Sequence, residues 1–263
     1  MKIHELIAEL EAWAPPQYAE SYDNTGLITG HPDQEITGVL ICLDSTEMII
    51  EEAVKLGYNM IIAHHPIVFK GLKKLNGTTY VERAVIKAIK NDIALYAIHT
   101  NLDNVITGVN HQIADILALQ HQQVLAPKAV FASANVGSGL IGQLANSVTE
   151  HEFLNYLKRR MQLPMIKHTR FLNKLINKVA VCGGTGSFLI PDAIKAGADV
   201  FITADLKYHE YFDAEQSLIL MDIGHFESER FTIELILKFI NEKFPGLRAA
   251  QTALITNPVQ YFL

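Results

Sequence analysis

Residues 39–65, VLICLDSTEMIIEEAVKLGYNMIIAHH, align with residues 179–205, VAVCGGTGSFLIPDAIKAGADVFITAD, at a constant offset of 140 without a gap. Seven of the 27 positions are identical, and most of the others exchange one apolar residue for another. The identical pairs are Val39/Val179, Cys42/Cys182, Ile50/Ile190, Ala53/Ala193, Lys55/Lys195, Gly57/Gly197 and Ile62/Ile202. Self-similarity at a fixed offset is the sequence signature of a repeated structural unit, so the chain is predicted to contain two copies of one unit.

Each copy has the pattern of a strand, a helix and a second strand. The apolar runs VLIC and VAVC at the start, and NMIIA and DVFIT at the end, predict buried strands. Between these runs apolar residues recur at helical spacing, and Gly57 or Gly197 stands where a left-handed helix cap is expected. Strands that are joined through a helix run parallel. We therefore expect an α/β fold of two related domains, each a mixed sheet flanked by helices.

A second correspondence follows at an offset of 126, where ALYAIHTNLD (94–103) aligns with LMDIGHFESE (220–229). In both stretches a histidine is followed four residues later by an acid, and a helix-patterned segment comes next. α/β units also resemble one another by chance, but the gapless alignment and the repeated His-x-x-x-acid motif together favour a true duplication.

The domain boundaries follow from this repeat. Residues 1–126, with the C-terminal segment 245–263 returning to them, are predicted to form the first α/β domain, and residues 127–244 the second. The stretch QHQQVLAPKAVFASANVGSG (120–139) is low in charge and rich in turn residues, which predicts the crossing point between the domains. The second domain then opens with a strand and a helix whose N-cap is Thr149.

Composition excludes several classes of protein. The 263 residues are 49% hydrophobic and 19% charged, which favours a chain with a sizeable core over a disordered one. The formal net charge of −6 makes duplex nucleic acid an unfavourable partner. No stretch resembles a membrane-spanning helix, and the glutamates of the N-terminal segment predict an amphipathic helix instead of a secretory signal. Two cysteines in apolar runs indicate a reducing compartment, so a soluble, cytoplasmic protein is expected.

Titratable side chains follow the predicted strands at three places. His64 and His65 end one strand just before a proline, Asp103 follows the next strand, and His225 and Glu229 lie four residues apart at the start of a helix. Each place alone also fits a solvated histidine pair, a helix N-cap or a helix-start ion pair. Taken together, they predict that three imidazoles and two carboxylates meet where the domains face each other.

This ligand set has no thiolate, so it suits Zn, Mn, Fe, Co or Ni. Five protein ligands exceed what a tetrahedral structural zinc site needs. They favour two ions about 3.5–4 Å apart that share a bridging carboxylate, for which Glu229 is the candidate.

Three further segments carry polar residues. The segment TADLKYHE (203–210) includes Lys207 and His209 and suits a supporting or proton-transfer role more than primary coordination. The glycine-rich CGGTGS (182–187) follows a strand and is expected to open a helix, where the backbone N–H groups of Gly183, Gly184 and Thr185 would favour a phosphate, although a tight turn without a ligand is the simpler interpretation. The DNTGL turn (23–27) is, on composition alone, a loop.

These motifs resemble the family of GTP cyclohydrolase 1 type 2 homologues, also called Nif-three-like proteins, along the whole chain. The resemblance rests on segments spread from end to end: DNTGL (23–27), IIAHHPIVF (61–69), HTNLDN (99–104), VCGGTGS (181–187), TADLKYHE (203–210) and IGHFESE (223–229). It implies that one metal takes His64 and Asp103 and the other takes His65 and His225, with Glu229 as the bridge. It also implies the short form of the family, without an inserted middle domain, and a toroidal homohexamer.

Two functions are carried forward. The first is a metal-dependent hydrolase acting on GTP or a related nucleotide or phosphoester, with His99 or His209 transferring protons and Lys207 or the glycine turn holding phosphates. The second is a non-catalytic metal-binding scaffold that binds or regulates another macromolecule.

Overall fold

The computed structural model describes residues 1–131 and 135–262. Within these ranges the helices are α1 (Ile3–Trp13), α2 (Glu47–Leu56), α3 (Tyr80–Lys90), α4 (Thr100–Asp103), α5 (Val109–Ile116), α6 (Glu150–Arg160), α7 (Ile190–Lys195), α8 (His225–Glu229) and α9 (Thr232–Lys243). The strands are β1 (Gly26–Thr29), β2 (Val39–Asp44), β3 (Met60–His65), β4 (Ala94–Ala97), β5 (Gln120–Pro127), β6 (Gly137–Thr149), β7 (Lys167–His168), β8 (Leu175–Thr185), β9 (Val200–Ala204), β10 (Ile219–Asp222) and β11 (Ala249–Gln251). Short 3-10 helices span Pro16–Tyr18, Ser187–Leu189 and Tyr208–Ala214.

The chain divides into two compact units that differ from the predicted domains. The first comprises Met1–Leu102 and Thr232–Val259, and the second comprises Asp103–Phe231 with the residues from Gln260 onward. The boundary therefore falls at 102/103, where residue 126 was expected, because α5 packs against β6 and β8 of the second sheet. The second boundary falls at 231/232, ahead of the expected 244/245, because α9 packs on β2 and β11.

The first unit contains a mixed sheet in the order β1-β4-β3-β2-β11. Strands β2, β3, β4 and β11 are parallel, and β1 pairs antiparallel with β4 at one edge. Helix α2 places Ile49, Ile50 and Ala53 in the core against the buried residues of β2 and β3. It ends at Gly57, whose φ of 68° is the left-handed conformation predicted for the cap.

The second unit contains a mixed sheet in the order β5-β6-β8-β9-β10-β7. Its centre, β8, β9 and β10, is parallel, and its remaining strands join antiparallel. Helix α7 and the preceding 3-10 turn bury Leu189, Ile190 and Ala193 against this sheet. Thr149 caps α6 as predicted, since its hydroxyl accepts from the Glu152 backbone N–H.

The strand register repeats the sequence offset. Val39 pairs with Met60 in the first sheet, and Val179 pairs with Val200 in the second, so both partners are displaced by 140 residues. The third strands, β4 and β10, lie next to β3 and β9 in the same parallel sense. Both sheets are mixed and flanked by helices, so the predicted fold class is confirmed.

The stretch 120–139 does not cross between units. Residues Gln120–Pro127 form β5, which pairs antiparallel with β6 in the second sheet. Most of β5 is partly or fully exposed, so it lacks the apolar run from which a strand would be predicted. Residues 132–134 of the predicted crossing, and the terminal residue 263, lie outside the described residues.

Two smaller findings bear on the sequence analysis. Cys42 and Cys182 are buried thiols without a disulfide, and burial raises the pKa of each. In the part of the chain that the structure describes, no helix is both long and apolar enough to cross a membrane.

Candidate metal centre

Three histidines of the first unit form one cluster. His64 and His65 are the last residues of β3, and His99 follows β4, the neighbouring parallel strand, so all three lie at the same edge of the sheet. Their ring centroids are 4.9 Å apart for His64 and His65, 5.2 Å for His64 and His99, and 5.4 Å for His65 and His99. One ligand nitrogen from each ring lies within 4.8 Å of the other two, so the cluster could hold a metal ion.

The Nδ1 atom of each ring is held by an acceptor. His64, which is fully buried, donates from Nδ1 to the carbonyl oxygen of Ile98 at 2.9 Å. His65 donates to Asp44 Oδ1, and His99 to Asp23 Oδ1, each at 2.9 Å. A carbonyl or carboxylate accepts only, so the proton is on Nδ1 and Nε2 is the nitrogen that a metal ion would take.

Asp44 was not predicted as part of the site. It ends β2 directly opposite His65 in the parallel ladder, and its second oxygen accepts from Thr256 Oγ1 at 2.6 Å. The sequence did contain a signal for Asp44. It is the last residue of a buried strand, and the next strand ends in two histidines.

Asp23 belongs to the DNTGL turn, for which composition alone predicted only a loop. Its carboxylate holds His99 and accepts from both the backbone N–H (3.0 Å) and the hydroxyl (2.5 Å) of Thr100. Burial would raise the pKa of Asp23, but the hydrogen bonds from His99 and Thr100 outweigh it and lower the pKa to about 2. Asp23 is therefore a carboxylate at neutral pH and orients the His99 ring.

In the second unit, His225 and Glu229 converge from one face of α8. Nε2 of His225 lies 3.0 Å from Oε2 of the buried Glu229, as the spacing of four residues predicts. His225 Nδ1 donates to Asp205 Oδ2 at 2.7 Å, and the same oxygen accepts from Thr185 Oγ1 at 2.7 Å. Burial would lower the pKa of His225, but the carboxylates of Asp205 and Glu229 overcome this and raise it to about 11.

The glycine-rich segment lies beside Glu229, and two of its backbone N–H groups are used within the protein. Strand β8 continues to Thr185, and the 3-10 helix Ser187–Leu189 begins after Gly186, so the helix starts beyond Gly183 and Gly184. The Gly183 N–H donates to Asn110 Oδ1 at 3.0 Å and the Gly184 N–H to Ser228 Oγ at 2.9 Å, so neither is available to an anion. A Cβ on Gly184, whose φ is +61°, would stand 2.3 Å from Glu229 Oε1. The glycine therefore provides room for the buried carboxylate.

Asp103, the remaining predicted ligand, lies near the same strand end. Its backbone carbonyl accepts from Asn110 Nδ2 at 3.1 Å, and Asn110 also holds Gly183. Burial raises the pKa of the Cys182 thiol, and the negative charges of Asp103 and Glu229 raise it further. The second unit thus brings Asp103, His225 and Glu229 to the end of β8.

Lys207 and His209 are not part of either cluster. Both are exposed, and they lie at the start of the 3-10 helix Tyr208–Ala214. The His209 ring contacts Tyr208 at 5.2 Å and Phe212 at 6.3 Å between centroids. Among the described residues, the groups that could hold a metal include neither side chain.

The donor set fits a transition-metal site. The imidazole orientation in the first unit, with each Nδ1 held by an acceptor, is typical of metal-ligating histidines. In the second unit the buried carboxylate of Glu229 lies beside His225 on one face of α8, and the missing side chain of Gly184 leaves room for it. Fold and site together define a duplicated α/β protein with histidine and carboxylate clusters at the carboxyl ends of its parallel strands.

Comparison with known proteins agrees with this class. The profile of the family described as Duf34/NIF3 (NGG1p interacting factor 3) matches residues 1–258, and the chain belongs to this family. The chain is 36% identical to a GTP cyclohydrolase 1 type 2 homolog of Clostridium perfringens over 87% of both chains. It is 32% identical to the homolog from Campylobacter jejuni over all of both chains. A crystallised Bacillus cereus protein related to NIF3 superimposes with a TM-score of 0.92 at 27% identity, covering 100% of this chain and 99% of that one.

Proposed function

We propose that the protein binds two divalent cations per subunit, drawn from Zn, Mn, Fe, Co and Ni, and acts as a metal-dependent hydrolase. The proposed ligands are His64, His65, Asp103, His225 and Glu229, with Glu229 shared by both ions. The observation that carries the proposal is the fixed orientation of the histidines of the first unit: each ring is held at Nδ1, which directs Nε2 toward a ligand.

That the two clusters serve the same pair of ions is part of the proposal. The sequence supports it, since only three residues lie between His99 in the first unit and Asp103 in the second. The family resemblance supports it as well, because the HHP, HTNLD and GH-x-x-x-E motifs occur together and in this order.

The ions would supply Lewis-acid activation of a hydrolytic water. The protein's own residues would orient the ligands and handle the proton. His99, fixed by the ionised Asp23, offers Nε2 as a site that accepts and releases a proton beside His64 and His65. Asp44 and Asp205 keep His65 and His225 in the orientation that a ligand needs.

The name of the relatives suggests the substrate class. A GTP cyclohydrolase opens the imidazole ring of the purine by hydrolysis and releases C8 as formate. We propose GTP, or a related nucleotide or phosphoester, as the substrate of this chain. Metal-loaded protein should release formate from GTP, and an Asp103→Ala variant should not. Equal formate release by both proteins, across the five metals, would remove this substrate.

Elemental analysis of the purified protein tests the metal centre directly. We expect about two transition-metal ions per chain, and fewer in His65→Ala. His31→Ala is the control, because this histidine is 74% exposed and lies outside both clusters. A metal content near zero in the wild-type protein, or one unchanged in His65→Ala, would contradict the proposal.

A non-catalytic role is the second candidate, and the family description, an interacting factor, favours it. In this alternative the metals would shape an assembly that binds another macromolecule. We propose a cytoplasmic homohexamer for either function. Sedimentation velocity should give about 176 kDa for six 29.3 kDa chains, whereas a monomer peak would refute the assembly.

A further inference from the structure

The loop that follows His65 is basic. Residues 66–78, PIVFKGLKKLNGT, contain Lys70, Lys73 and Lys74 and no acidic residue, so the loop carries a formal charge of +3. The whole chain carries −6, which leaves −9 on all other residues. A second acid-free stretch, residues 153–191, carries +7, but the loop 66–78 is the basic segment that directly follows a member of the histidine cluster.

The three lysines are exposed, and the structure shows no acidic partner for them among the described residues. Within residues 1–131 and 135–262, none of them forms an ion pair or a side-chain hydrogen bond. Some lysines elsewhere have an acidic partner: Lys167 pairs with Asp222 at 2.6 Å, and Lys243 pairs with Glu9 at 3.1 Å. Among the described residues, Lys90, Lys158 and Lys195 form no ion pair either, but they do not lie next to the histidine cluster in the sequence. Three unneutralised cations on one loop of an acidic protein indicate an anionic ligand.

The loop is fixed at both ends. At its start, the Val68 carbonyl accepts from Asn24 Nδ2 at 2.6 Å. At its end, the Glu82 carboxylate accepts from the backbone N–H groups of Asn76 (3.2 Å) and Thr78 (3.0 Å). The exposed segment 69–75, which carries all three lysines, therefore projects from two anchored points.

The start of this segment touches the histidine cluster. The Phe69 ring meets the His99 ring edge-on, with centroids 5.4 Å apart, although Phe69 is 49% exposed. Lys70 follows directly, so its Cα is about 3.8 Å from that of Phe69. Lys70 is therefore next in the chain to a ring that contacts the histidine cluster, and Lys73 and Lys74 follow three and four residues later.

We infer that loop 66–78 receives the phosphate end of the substrate at the histidine cluster. The inference rests on the proposed function and specifies its substrate as a phosphate-bearing anion. Gly183 and Gly184 do not supply this contact, because their N–H groups donate within the protein. Lysine ammonium groups bind phosphate as point charges, and exposed loop lysines can do so without a preformed pocket.

Titration calorimetry on the full chain tests the inference with GTP, inorganic tripolyphosphate and guanosine as probes, at two salt concentrations. The test variant is Lys70→Ala/Lys73→Ala/Lys74→Ala. The control is Lys90→Ala/Lys158→Ala/Lys195→Ala, which removes the same charge from exposed helical positions. Exposed ion pairs each contribute a small factor, so GTP and tripolyphosphate should bind the loop variant roughly tenfold more weakly, with a reduced salt dependence. Guanosine binding should not change between the proteins.

Three results would overturn the inference: equal losses in the loop and control variants, a loss that extends to guanosine, or a wild-type protein that binds neither phosphate probe. Metal content, measured on the same samples, separates this failure from a failure of the proposed function. If the wild-type protein holds about two ions but binds no tripolyphosphate, the phosphate-binding role of loop 66–78 is refuted, whereas the proposed metal centre is not. Thermal unfolding of both variants confirms that they are folded.

Discussion

Replacing Gly184 by alanine tests the assignment of the glycine-rich segment more sharply than removal of a ligand. Gly184 has a φ of +61°, and its missing Cβ leaves the space in which Glu229 lies. Gly197 is a matched control, because its φ is +70° and a Cβ there would meet nothing within 4 Å. Both substitutions place an L-residue in the left-handed region, and only one reaches the site.

The expected stability loss is similar for the two variants. An alanine in the left-handed conformation costs about 1–2 kcal/mol. For a chain of this size each kcal/mol lowers the melting temperature by about 2–4 °C, so both variants should melt roughly 2–8 °C below the wild-type protein. The Gly184→Ala variant also places a carbon 2.3 Å from Glu229 Oε1, far inside contact distance, so the buried carboxylate must move.

Metal content then separates the variants. If Glu229 is a ligand, Gly184→Ala should lower metal affinity by at least roughly tenfold, since even disturbing a residue that only supports a ligand costs that much. Gly197→Ala should keep the wild-type content. Elemental analysis after dialysis and differential scanning fluorimetry give both quantities from one preparation. Equal metal content in the two variants would refute the role assigned to Gly184 and Glu229.

Three further substitutions test separate parts of the structure. Asp44→Asn should lower metal affinity about 10–100-fold, because the hydrogen bond that orients His65 loses its charged acceptor; competition with a chelator measures this, and an unchanged affinity would contradict it. His99→Gln should retain both ions but release formate from GTP about 10²–10⁴-fold more slowly, whereas loss of metal would make His99 a ligand. Thr149→Ala should destabilise the protein by about 1 kcal/mol in urea unfolding without changing metal content, since Thr149 caps α6 far along the chain from both clusters.

The repeated core of the fold could be predicted because its signals are local. Apolar runs marked β2, β3, β8 and β9, and Gly57 marked the end of α2. The unit boundaries could not be predicted, because they depend on which sheet α5 and α9 pack against. The sequence of an amphipathic helix shows that one face is buried, but not which sheet buries it.

The candidate ligands could also be found from the sequence, because strand ends concentrate functional residues in α/β sheets. The supporting carboxylates were harder to identify. Asp44 supports His65 through register between strands, and Asp23 reaches His99 across 76 positions of the chain, so neither contact is visible as a local spacing. The role of Gly184 could not be predicted for a related reason: glycine tolerates close approach of any group, and only the structure shows that the group beside it is the Glu229 carboxylate.

The offset of 140 shows how the two copies have diverged in chemistry at equivalent strand ends. Asp44 and His65 correspond to Gly184 and Asp205. In the first copy the end of β2 supplies the acid and the end of β3 the imidazole that it orients. In the second copy Gly184, near the end of β8, has no side chain, and Glu229 of α8 lies in the space that this leaves. Asp205, which follows β9, is the acid that orients His225. In both copies an aspartate carboxylate accepts a hydrogen bond from the Nδ1 of a histidine. This aspartate ends β2 in the first copy and directly follows β9 in the second. The pairing that orients a histidine is therefore present in both copies, whereas the sequence positions that supply it differ.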